Sequence, residues 1–173
     1  IAMPLIDAIY IELLKKGAYV DLKLNPDHLM PLFFKYANDD QLKYCSELEM
    51  HTTKTIDAYF GIWAEINTKA LSHIPTSKQA LNSSYRKELM STFMKRAGMG
   101  RLNWCGTLFP TQSSAQDAEM SLDEYEDFVF NAGHLNQKDP IKVWKDIEHK
   151  QQQVVDFLNT KKMLRFKAYN GTD

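Results

Sequence analysis

Strand-like and helix-like segments alternate along this chain and predict an α/β fold, a mainly parallel sheet flanked by helices. Two short apolar runs, 56–64 and 102–109, have the length and composition of strands buried on both faces, as in parallel sheets. The residues between them carry helical spacing and are far too many for a hairpin, which is the mark of a crossover. Residues 18–24 alternate in polarity and predict a strand before that pair in sequence, and residues 163–169 read as the last strand.

Each element has a local justification. Pro4 suits a first helical turn, Leu5, Ile6, Ile9 and Leu13 form an apolar stripe, and Gly17 suits the position just past a helix end. Asn25-Pro26 predicts a cap and first-turn proline for a short helix reaching about Ala37, with Pro31 bending it. Asn38 with Gln41 resembles a capping box for a helix over 39–53. A helix over 75–97 stops at Gly98 and Gly100, and Pro110-Thr111 turns the chain from strand into helix. Ser121-Leu122-Asp123-Glu124 is an S-x-x-E capping box. Asp139-Pro140 opens the longest helix, 140–162, with Ile141, Trp144, Ile147, Val154, Val155 and Leu158 as its buried face. Strict local grammar of this kind is densest over 102–144, LNWCGTLFPTQSSAQDAEMSLDEYEDFVFNAGHLNQKDPIKVW.

At 173 residues, with 44% apolar and 12% aromatic content, the chain fits one domain with a sizeable core. No linker, repeat or low-complexity tract interrupts residues 1–173. A formal net charge of −1 gives no electrostatic case for nucleic acid or an anionic membrane as partner. No apolar run approaches the roughly 20 residues that span a bilayer. Cys45 and Cys105 make no disulfide framework and fit a reducing, cytoplasmic setting. Both ends, Ile1-Ala2-Met3-Pro4 and Gly171-Thr172-Asp173, are expected to continue in a longer reading frame.

Searches for chemistry return structural readings. His28, His51, His73, His134 and His149 show no i,i+3 or i,i+4 pairing, and no H-E-x-x-H or C-x-x-C exists. The pattern therefore predicts no metal ligand and no catalytic residue. There is no G-x-S-x-G elbow, and Cys105, between Trp104 and Gly106, reads as a small buried hydrophobe. Gly98-Met99-Gly100 follows a helix and so reads as a helix stop rather than a phosphate loop. Asp123, Glu124, Glu126 and Asp127 favour the positive end of a helix dipole, with metal binding or acid–base work as the alternative. The aromatic groups Phe33, Phe34, Tyr36 and Tyr59, Phe60, Trp63 read as core.

One positional argument remains. Open parallel sheets place ligands beyond the carboxyl ends of their strands. The polar segments found there are Glu65-Ile66-Asn67-Thr68-Lys69 and Pro110-Thr111-Gln112-Ser113, with Gln116 just beyond. Glu65, Asn67, Thr68, Thr111 and Gln116 are the candidate cavity-lining residues. Helix capping is the competing explanation for Asn67, Thr68 and Thr111.

Several segments, in order, resemble one family: Ala2-Met3-Pro4-Leu5, Lys16-Gly17-Ala18, the run AEINTKALS from Ala64, WCGTLFPT from Trp104, AQDAEMSLDEYEDF from Ala115, Asp139-Pro140, Trp144 and the closing Gly171-Thr172-Asp173. The chain is similar throughout to the N-terminal region of the thermophilic-type metallo-aminopeptidases, the aminopeptidase T and S group. That resemblance implies a two-domain hydrolase that removes N-terminal residues from peptides with two divalent metal ions, cobalt or zinc. It implies that the ligands lie in a C-terminal domain absent from this sequence, so none is expected here. It also implies a homodimer enclosing a cavity that this domain, inactive alone, helps to wall. The expected partners are peptide substrates, the chain's own C-terminal domain and a second copy, with neither nucleic acid nor membrane. The alternative is a self-contained, non-enzymatic α/β binding module, with a nucleotide-binding domain as a third reading.

Overall fold

A computed structural model describes residues 2–172 and contains, among them, nine helices and two strands. The chain packs as two units, one reaching Tyr125 and the other starting at Glu126, although no linker marks the division in sequence.

The first unit carries the sheet. Strands β1 (Ala58–Trp63) and β2 (Asn103–Leu108) pair in parallel, with Tyr59 opposite Trp104, Gly61 opposite Gly106 and Trp63 opposite Leu108. Helices α5 (Thr76–Tyr85) and α6 (Lys87–Gly98) form the crossover between them. This is the α/β arrangement expected, helices flanking a parallel sheet. The facing glycines make room for rings. A Cβ on Gly106 would sit 2.4 Å from the Trp63 indole, and one on Gly61 would sit 3.1 Å from the Tyr59 ring. Phe93 of α6 covers the same face, with ring centroids 5.6 Å from Tyr59 and 6.2 Å from Trp104.

Before the sheet come α1 (Met3–Lys15), α2 (Leu29–Tyr36), α3 (Asp39–Lys43) and α4 (Glu47–Thr55). Helix α1 ends as Gly17 foretold. Gly17 has φ +77° and its N–H donates to Leu14 O, while Ala18 N–H donates to Leu13 O, which satisfies two last-turn carbonyls. Pro31 falls in the first turn of α2, where an N–H has no helical partner to lose. The expected Asn25-Pro26 cap is replaced by a turn in which Leu29 N–H donates to Pro26 O.

The helix expected over 39–53 is two helices. The Asn38–Gln41 capping box forms, but Ser46 caps a new start by accepting from Glu49 N–H. The helix expected over 75–97 also breaks, at Arg86, whose guanidinium is drawn 2.8 Å from Glu49.

The short helices share a device that local sequence does not reveal. Side chains of α5 and α6 donate to carbonyls at the ends of α2, α3 and α4 in turn: Lys78 to Phe34 O at 3.0 Å, Asn82 to Leu42 O at 2.9 Å, and Arg96 to Thr53 O at 2.7 Å. Arg96 also donates to Ile56 O just before β1 and to Arg101 O just before β2. Helix ends leave such acceptors unsatisfied, so these donors replace the missing intrahelical bonds.

After β2 come α7 (Gln112–Asp117) and the start of α8 (Leu122–Ala132), where Ser121 and Glu124 form the expected capping box. The second unit holds the rest of α8 and α9 (Pro140–Asn159). Asp139 caps α9 by accepting from Lys142 N–H at 3.0 Å, and Trp144 Nε1 donates to Gly133 O at 2.9 Å.

Several expectations are corrected. Residues 18–24 and 163–169 form no strand. Alternating polarity makes a segment fit for a ladder, but a strand exists only where a neighbouring edge supplies partners. The core holds Ala2, Phe34, Leu42, Leu102 and Ala115, and of the six aromatic residues expected there only Phe34 is buried. Cys105 is exposed rather than buried, because its strand has one neighbour. Along α9, Ile141, Trp144, Val154, Val155 and Leu158 are exposed rather than forming a buried face.

Candidate functional site

The two post-strand segments come together. β1 leads through Ala64 to Glu65–Lys69, β2 leads through Pro110 to Thr111 and α7, and because the strands are parallel both segments emerge at the same end. Ser113 Oγ donates to Glu65 O at 2.6 Å, and Lys69 Nζ stands 3.1 Å from Asp117 Oδ1, so each segment braces the other across 48 residues of sequence. A third piece joins them, as Ile66 N–H donates to Asp27 Oδ2 at 2.6 Å. The peptide unit between Glu65 and Ile66 is thus held at both its C=O and its N–H.

Of the five candidate residues, Thr111 is 3% exposed, and its Oγ1 accepts from Ser114 N–H while lying 3.1 Å from Ser113 Oγ. It caps the start of α7, from which Ser113 reaches Glu65 O. Asn67 is exposed, and its Oδ1 accepts from Lys69 N–H at 2.9 Å, which shapes the turn after β1. Thr68 is exposed and hydrogen-bonds Asp117. That bond, then the one from Lys69, holds the Asp117 carboxyl below the ordinary carboxylate range. Gln116 is exposed on α7, and its carbonyl accepts from Glu119 N–H at the helix end. Glu65 is exposed, and among the described residues its carboxylate has no partner.

Asp27 and Asp117 were not legible as site residues. Asp27 lies in a segment without regular structure, 39 residues from its partner, and only folding brings it to Ile66. Asp117 carried one usable signal, its place at the end of a helix that opens beyond a strand.

The rim is a surface and not an enclosed pocket. Two open depressions lie elsewhere, one of about 410 Å³ beside Phe33, Asn38, Gln41 and Tyr44, the other of about 490 Å³ beside Leu164, Arg165, Phe166 and Thr172. Among the described residues no three His, Cys, Asp or Glu side chains converge as a metal site would require. His134 instead stacks edge-on to Trp144, and His149 lies beside Gln153. The described residues do not fit a two-metal centre. No described helix is long and apolar enough to cross a membrane.

Fold and rim together define an α/β domain whose polar border stands at the carboxyl ends of two parallel strands. The model of the family described as thermophilic metalloprotease (M29) matches residues 1–173. The chain belongs to that family of metallopeptidases, hydrolases whose chemistry uses metal. No curated protein is similar enough to the chain to count as a match.

Proposed function

We propose that this chain is the N-terminal, non-catalytic domain of a metal-dependent aminopeptidase, and that its rim walls the substrate cavity. One observation carries the reading: the segments after β1 and β2 are cross-braced into one polar border, where α/β sheets place their ligands. Family membership supports the peptidase chemistry, and the scattered donors support ligands for the two divalent metals, cobalt or zinc, outside this chain. The complete enzyme is a cytoplasmic homodimer acting on peptides.

Within the rim, Glu65, Asn67, Thr68, Thr111 and Gln116 have unequal roles. Asn67, Thr68 and Thr111 set backbone geometry, and Gln116 offers an exposed amide. Glu65 presents an unpaired carboxylate from a braced backbone, suited to the ammonium group at the free end of a peptide. It is the residue we assign to substrate contact, through charge complementarity.

The test is hydrolysis of aminoacyl p-nitroanilides with added cobalt or zinc, by this chain alone and by the longer protein containing it. The longer protein is active and the chain alone inactive. Metal-dependent turnover by the chain alone overturns the non-catalytic assignment, and a gene that stops at Asp173 favours a self-contained binding module. In the longer protein, Glu65→Gln raises KM by a factor of about 2 to 5 with kcat unchanged, the scale of one exposed ion pair.

A further inference from the structure

We propose that Asn170 is a site of spontaneous covalent modification, at which its side-chain amide closes onto the Gly171 nitrogen and opens again to aspartate and isoaspartate. The inference is independent of the peptidase reading.

An asparagine side chain can be attacked by the backbone nitrogen of the residue that follows, because the product is an unstrained five-membered ring. The obstacle is steric, since a side chain on that next residue crowds the approaching nitrogen. Of the nine asparagines in the chain, only Asn170 precedes a glycine. Gly171 has φ +91°, and the place a Cβ would take has no atom within 4 Å. Asn170, Gly171 and Thr172 are all exposed, so hydroxide and water reach them.

The turn also prepares the electrophile. Asn170 Oδ1 accepts two hydrogen bonds, from Thr172 N–H at 3.2 Å and from Thr172 Oγ1 at 2.8 Å. These donors polarise the amide carbonyl and stand where negative charge develops when the nitrogen adds. The backbone keeps the arrangement in place, with Ala168 N–H donating to Thr172 O at 3.0 Å. Gly171 N–H donates to Ala168 O at 3.2 Å, at the long end of the normal range, and that bond must open for reaction.

The step balances without oxidant or reductant. Hydroxide removes the proton from Gly171 N, the nitrogen forms a bond to Asn170 Cγ, and the carbonyl π pair moves to Oδ1. Collapse of the adduct expels Nδ2, which leaves as ammonia after taking a proton from water. Water then opens the cyclic imide at either carbonyl, giving aspartate or isoaspartate. Each event adds one negative charge, and the isoaspartate branch inserts a methylene into the backbone.

Asn67 Oδ1 likewise accepts from the N–H two residues on, but Thr68 follows it and keeps the steric block, and three further asparagines are held differently. Asn82 Nδ2 is bound to Leu42 O, Asn131 Nδ2 to Asp127 O inside α8, and Asn38 Oδ1 to Gln41 N–H in a capping box.

The whole chain is incubated in warm, mildly alkaline buffer and followed by peptide mapping with mass spectrometry, isoaspartate being counted by enzymatic methylation. The expected result is that the peptide containing Asn170 exchanges amide for acid before any other asparagine peptide, faster as pH rises. Gly171→Ala slows the exchange on the order of tenfold or more, since it restores the steric block. Thr172→Val, which keeps Gly171 but removes the hydroxyl donor, slows it severalfold, and Thr172→Ser restores it. Modification of another asparagine first, or an unchanged rate in Gly171→Ala, overturns the proposal. An unchanged rate in Thr172→Val overturns the part assigned to the polarising turn.

Discussion

The two packing units are built by different means. In the unit reaching Tyr125, side chains tie together residues about 40 apart or more, as Lys78, Asn82 and Arg96 close the ends of α2, α3 and α4, and every residue of the core lies there. In the unit from Glu126 onward, no described residue is buried, and its helices end on bonds within a few residues, such as Leu135 N–H to Phe130 O and Asp139 to Lys142 N–H. Local capping therefore suffices to shape a helix, while burial requires distant segments to meet.

The sharpest way to break this comparison is truncation of apolar side chains. Leu42, 0% exposed, loses its packing in Leu42→Ala, and unfolding by denaturant shows a loss of about 3 kcal/mol. Phe157→Ala, at a residue 60% exposed on α9, changes stability by no more than about 0.5 kcal/mol. Equal losses at the two positions would mean that α9 is buried as deeply as α3.

Next in size is the clamp. Arg96→Ala removes donors to Thr53 O, Ile56 O and Arg101 O and costs about 2 kcal/mol, measured the same way. Arg96→Lys recovers only part, since an ammonium on one flexible stem cannot reproduce the planar fork.

Smaller still are the two helix ends that place a side chain at positive φ. Glu119 (φ 59°) and His134 (φ 58°) close α7 and α8 with the hydrogen-bond pattern that Gly17 and Gly100 provide elsewhere. Glu119→Gly gains roughly 0.5–1 kcal/mol by relieving the left-handed conformation. His134→Gly gains less, because it also loses the ring packed 5.7 Å from Trp144. A larger gain at His134 would show that this contact contributes nothing.

The smallest effect is in acid. Hydrogen bonding from Lys23 holds the Glu49 carboxyl below the ordinary range, opposed by burial and aided by Arg86. Because the folded pKa is depressed, the stabilisation is complete above the ordinary carboxylate range. It is lost as pH falls through that range towards the depressed value. Lys23→Met flattens part of the acid limb of a stability-against-pH curve, and no such change follows from Lys145→Met on α9.

Much of the architecture was legible because its causes are local. Gly17, Asn38 with Gln41, Ser121 with Glu124, and Asp139-Pro140 each mark a helix end that forms as read, and the runs around 58–63 and 103–108 became the two strands. The break at Ser46 was also written, as Ser46-Glu47-Leu48-Glu49, but the single helix expected over 39–53 ran through it. For the candidate site, parallel strands ending at the same side were enough to point to Glu65–Lys69 and Thr111. Nothing local could pair Ser113 with Glu65 O, Lys69 with Asp117, or Asp27 with Ile66 N–H.

By itself, then, the sequence determined helix ends, strand-forming runs, the crossover between them and membership in a metallopeptidase family. Tertiary structure alone decided that residues 18–24 and 163–169 form no strand, that Cys105 and the face of α9 are exposed, and that Arg96 joins three chain segments. The reason is physical: caps and turns are satisfied within a few residues, whereas a ladder or a core exists only when another surface arrives to complete it.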